Sequence, residues 1–160
     1  MTRRGAKQKY REGDWFTVPL RDGRHAIGLI ARTTKKSPSI LFGYFFGPAR
    51  GVAPELSDTT DLRPGAAVWV HMFGDVGLHA GTWQVLGQAP DWQRDAWPMP
   101  GFVHKDALVP GRYTRRDYPG EDPGADPVES RIGEDEIAGL AEDGLAGSGF
   151  VEQRLTKLLT

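Results

Sequence analysis

Apolar and polar positions alternate in short bursts along the first two thirds of the chain, and the bursts are separated by glycine, proline and charged residues. Residues 14–20 (DWFTVPL) are rich in aromatic and β-branched side chains and predict a strand. The following RDGR, residues 21–24, carries an Asp-Gly pair that takes positive φ in a hairpin turn, and residues 25–33 (HAIGLIART) predict the return strand. Gly28 inside that strand marks a bulge or a close approach by another part of the chain. A polar turn around Pro38 leads to residues 40–46 (ILFGYFF), a strand too apolar to have one wet face. Residues 47–64 hold Pro48, Pro54 and Pro64 and read as a long loop. Residues 66–73 (AAVWVHMF) give a fourth strand, residues 82–86 a fifth and residues 101–104 a sixth, with a glycine-rich turn over 74–81.

Beyond residue 112 the pattern changes. Apolar content collapses over 113–130, where Pro119, Pro123 and Pro127 mark an exposed acidic connector. Residues 134–140 begin with acids, favourable at a helix N-terminus. A last helix starts near Ser148, as its cap, and places Val151, Leu155, Leu158 and Leu159 on one stripe. The expected fold class is α+β, mainly β: a small antiparallel SH3-like barrel or curled sheet with one or two C-terminal helices. The 160 residues are expected to form a single domain, with a β core over 10–112, the connector over 113–130 and a helical part over 131–160.

Composition narrows the chemistry. The chain has no cysteine, which excludes disulfides, a zinc ribbon and a thiol nucleophile. No apolar run nears the ~18 residues of a membrane span, and the basic start lacks the apolar stretch of a secretory signal. The expected compartment is the cytoplasm. Charge is polarised: residues 1–36 carry ten basic side chains against three acids, whereas 117–143 carry ten acids and Arg131 alone as a cation. Either end is a solvated surface or a steering field for a charged partner.

Catalytic signatures are missing. No G-x-S-x-G elbow surrounds a serine, and neither a Walker loop nor G-x-G-x-x-G occurs. The acids at 121, 122 and 126 sit among prolines and glycines, a poor setting for a hydrolytic pair. His71, Asp75 and His79 recur at spacings of four, but Gly74 and Gly77 oppose one helix, so only a tight turn brings them together. Ordinary histidines at a sheet rim are the expectation, and neither a catalytic residue, a metal nor a cofactor is assigned. Of five tryptophans, Trp15, Trp69 and Trp83 fall in strands and read as core. Trp92 and Trp97 flank a polar stretch and read either as interface anchors or as a lid over an open end of the sheet.

The segments GDWFTVPLRDGRHAIGLI (13–30), WQVLG (83–87), WPMPGF (97–102) and EDGLAGSGFVEQRL (142–155) together resemble the immunity protein 26 family of bacterial polymorphic toxin systems. The resemblance implies a non-enzymatic protein that neutralises a cognate toxin domain by direct binding. An acidic inhibitor suits a basic toxin, because steering raises the encounter rate. The expected toxin-facing residues are Asp117, Glu121, Asp122, Asp126 and Glu129, with Trp92 and Trp97. Two other readings remain at this stage: a barrel binding single-stranded nucleic acid through its basic start and Tyr10, Trp15 and Phe16, which the acidic tail opposes, and a metal-dependent hydrolase of phosphate esters.

Overall fold

A computed structural model describes residues 7–36 and 39–160. The first residues of the basic lead and Pro38 of the predicted turn lie outside the described residues.

The predicted hairpin forms as β1 (Asp14–Pro19) and β2 (His25–Arg32), antiparallel with Trp15 opposite Leu29 and Phe16 opposite Gly28, and Gly23 takes φ +85° in the turn. Next come β3 (Ile40–Arg50) and β4 (Trp69–Gly74), which pair antiparallel with Leu41 opposite Phe73. The glycine-rich stretch contains a single short helix, α1 (Val76–Ala80), closed by Gly81 at φ +84°. β5 (Val85–Gln88) returns to pair with β1. A second sheet is built from β6 (Phe102–Lys105), β7 (Tyr113–Asp117), β8 (Val128–Ile132) and the two-residue β9 (Ala141–Glu142). β10 (Leu145–Ala146) joins the first sheet in parallel with β4, and α2 (Ser148–Leu158) closes the fold. The strand orders are β10-β4-β3-β2-β1-β5 and β8-β7-β6-β9, so the fold is mostly β with a curled, open sheet and a C-terminal helix.

Both faces of the first sheet are covered, which explains the continuous apolar runs of β2 and β3. On one face Phe16, Ile30, Phe45 and Phe73 pack with Trp83 and with Val151 and Leu155 of α2. On the other, Trp15, Leu29, Phe42 and Phe46 pack with Trp97 and with Phe102 of the second sheet. Gly28 serves close approach: a Cβ there would lie 2.3 Å from Cζ of Phe16.

Three expectations change. The stretch expected as a connector carries β7 and β8, which pair through their backbones and through one ion pair across the ladder. Arg116 stands opposite Glu129 and bonds to it at 3.1 Å, so pairing replaces apolar burial. The helix expected over 134–140 is one 3-10 turn, Glu134–Glu136, and Gly139 at φ +83° turns the chain back toward β9. Gly147, and not Ser148, is the N-cap of α2. The Ser148 hydroxyl instead accepts the N–H of Gly77 at 2.9 Å, tying the two helices together.

Candidate functional site

A groove of about 600 Å³ opens between the loop around residues 56–64 and the segment 89–97. Its position follows from the start of β1. Gly13 adopts φ +92°, and with no Cβ it lets the Trp92 indole lie where a side chain would stand, 2.8 Å from the ideal Cβ position. Asp14 is buried and accepts the N–H of Arg11 at 2.9 Å, which fixes the turn into the strand. Burial raises the Asp14 pKa, with the Arg11 hydrogen bonds and charge opposing it. Trp15 then contributes to the groove lining and meets Trp97 edge to face at 5.6 Å. The Gly-Asp-Trp motif is thus a device for seating the tryptophan loop on the sheet.

That loop is tied down at several points. Arg94 donates to Glu12 at 2.9 Å. The Tyr44 hydroxyl donates to the carbonyl of Pro98, and burial pushes the Tyr44 pKa up to about 12. Arg32, only 1% exposed although it ends an apolar strand, donates to the carbonyls of Ala31 and Arg94 and to Glu121 Oε1 at 2.7 Å. The same Glu121 oxygen accepts the N–H of Met99 at 2.8 Å. Burial alone would raise the Glu121 pKa, but the hydrogen bonds from Met99 and Arg32 and the nearby positive charges outweigh it and leave it lowered.

The expected toxin-facing residues therefore divide. Trp97 is 8% exposed and packs among Trp15, Tyr44 and Phe46, so it belongs to the core beneath the groove and is unavailable as an exposed anchor. Trp92 is half-buried and lines the groove. Asp117 is paired with Arg115 at 2.9 Å, Glu121 with Arg32, and Glu129 with Arg116 at 3.1 Å. Asp122 accepts the N–H of Gly124 at 2.9 Å. Asp126 is exposed and forms no ion pair with a described residue. The structure joins Glu121 to the tryptophan segment through Arg32 and Met99.

Several organising residues carry weak sequence signals. Arg32 was detectable only as a lone cation closing an apolar strand. Asp143, with its side chain 5% exposed, accepts from Arg116 at 2.6 Å and from the Tyr118 hydroxyl at 2.7 Å, and nothing in its local sequence announces this.

The three regularly spaced groups are divided. His71 is buried on β4 and stacks on Trp69 with ring centroids 4.8 Å apart. Asp75 accepts the Tyr10 hydroxyl at 2.7 Å, and His79 Nδ1 stands 4.0 Å from Asp75. Among the described residues no group of three or more His, Cys, Asp or Glu is gathered to hold a metal ion, and no helix is long and apolar enough to cross a membrane.

A family model described as Immunity protein 26 matches residues 11–114. The matched span holds the Gly-Asp-Trp start, the groove and Trp97; the acids from Asp117 onward and the tail 142–155 lie beyond it. No curated protein and no solved structure matches the chain.

Proposed function

The chain belongs to the immunity protein 26 family, and from that premise we propose that it neutralises a cognate toxin domain in the cytoplasm by binding it directly, without catalysis. Family membership is the observation that carries this reading. The groove supports it, because a concave surface with a half-buried tryptophan on a braced loop suits a protein interface. We assign the anchor to Trp92 and the steering of a basic toxin to the acids led by Asp122 and Asp126. Trp97, Glu121 and Arg32 hold that surface in shape from behind.

The test is survival on co-expression with toxin modules encoded beside this gene, followed by co-purification of the pair. Growth rescue with a stable complex is the expected result. A neighbouring toxin that kills regardless of this protein, with no complex recovered, would overturn the proposal.

A further inference from the structure

β8 is the outer strand of the second sheet, with β7 on one side and no described strand on the other. Its residues 128–131 are exposed, Val128 at 62%. Such an edge presents unpaired N–H and C=O groups to any strand that reaches it, and proteins commonly blunt edges with charged side chains, especially lysine. Here the charges are of opposite sign and symmetrically placed. The strand reads Val128, Glu129, Ser130, Arg131, Ile132, a chemical palindrome about its central serine.

We propose that β8 pairs antiparallel with β8 of a second copy of this chain, about a two-fold axis through Ser130, to give one continuous eight-stranded sheet. Directly opposite residues in an antiparallel pair share a face. With Ser130 opposite Ser130, Glu129 faces Arg131 of the second copy and Val128 faces its Ile132. The two-fold repeats both pairs, as an isologous interface requires.

The groups needed are accessible in the single chain. Arg131 is exposed and forms no ion pair with any described residue. Glu129 receives Arg116 Nε on Oε1 at 3.1 Å, and its side chain is 54% exposed, so a second guanidinium can approach. Arg116 is itself anchored on the far side by Asp143 at 2.6 Å. Glu129 thus stands between two arginines, one from its own sheet and one from the second copy. Serine at the axis is small, and two hydroxyls can hydrogen-bond each other where two like charges would repel.

Sedimentation of the full chain over a dilution series at low salt tests this. The wild type should sediment as a reversible dimer. R131E and E129R should each place like charges opposite one another twice per interface and weaken the dimer on the order of tenfold or more. Mixed in equal amounts, the two variants become complementary and should recover a heterodimer. Circular dichroism checks that each variant is folded, as expected for exposed positions. A wild type that stays monomeric throughout overturns the proposal, as do variants that dimerise like the wild type, or a mixture that fails to recover pairing.

Discussion

Replacing Glu121 with alanine would strip the buried guanidinium of Arg32 of the carboxylate that balances it. Arg32 is 1% exposed, and its Nε is buried without a partner. Two backbone carbonyls would remain to it, but a carbonyl carries no compensating charge. Breaking a buried ion pair from one side costs about 3–5 kcal/mol. The Glu121 side chain is 41% exposed, so water enters the vacated space and reduces the cost; about 2–3 kcal/mol is expected, including the lost acceptor for Met99 N–H. For a chain of this length that lowers Tm by roughly 5–10 °C. E121Q keeps an oxygen for both donors and removes the charge, and should cost about half as much.

The pH dependence provides a second reading of the same pair. The folded Glu121 pKa lies below its ordinary 4.5, so the folded protein holds fewer protons than the unfolded chain in that region. The stabilisation is present above pH 4.5 and is lost as pH falls through the lowered value. Urea denaturation followed by circular dichroism, at neutral pH and again below the folded pKa, should show wild type and E121Q separated in the first condition and converging in the second. An alanine variant within about 0.5 kcal/mol of wild type at neutral pH would refute the reasoning, because it would mean that Arg32 is satisfied by carbonyls alone.

Other changes probe the remaining layers. Gly28→Ala drives a methyl into the Phe16 ring, which stacks on Trp83 at 5.6 Å and has little room to retreat; about 2–3 kcal/mol should be lost in urea denaturation. Trp97→Ala should cost about 3–5 kcal/mol of stability. Trp92→Ala should cost about 1 kcal/mol or less yet weaken toxin binding tenfold or more by calorimetry, a split that separates the floor of the groove from its wall. His71 is held below its ordinary pKa of 6.5 chiefly by burial. The unfolded chain therefore takes up a proton below pH 6.5 that the folded chain refuses, and stability should fall with pH there by up to about 1.4 kcal/mol per unit. In H71Q that slope should disappear from stability curves measured between pH 5 and 6.5.

The parts legible from sequence are those where burial imposes a simple pattern. Aromatic and β-branched residues around the Asp-Gly turn located β1 and β2, alternation located β4, the unbroken run of β3 announced burial on both faces, and the stripe of Val151 and Leu155 located α2. β7 and β8 escaped because they are held by backbone pairing and by the Arg116–Glu129 ion pair across the ladder, which hydropathy cannot register. β9 and β10 escaped because two residues are too short to show a period. Trp92 and Trp97 are five residues apart in the same polar stretch, and only tertiary contacts distinguish them: Gly13 receives one at the groove wall, and Trp15 and Tyr44 enclose the other.

The charge polarity of the chain has a further consequence. Its basic beginning and acidic later stretch meet where Arg32 from the first binds Glu121 from the second, and Arg115 and Arg116, next to the acidic stretch, hold Asp117 and Glu129. Of the acids from 117 to 136, those exposed without an ion pair to a described residue are Asp126, Glu134, Asp135 and Glu136. A field from so few free charges, screened over about 8–10 Å at physiological salt, accelerates encounter only modestly. On the proposed function, tight neutralisation would then draw its affinity from desolvated contact, with the braced groove beside Trp92 as the proposed apolar surface. Removing Asp122, Asp126, Glu134 and Asp135 together should slow association at low salt while leaving dissociation nearly unchanged, and Trp92→Ala should do the reverse. Stopped-flow association and dissociation measured with the cognate toxin would expose the opposite pattern, in which case the acids and not the groove carry the affinity.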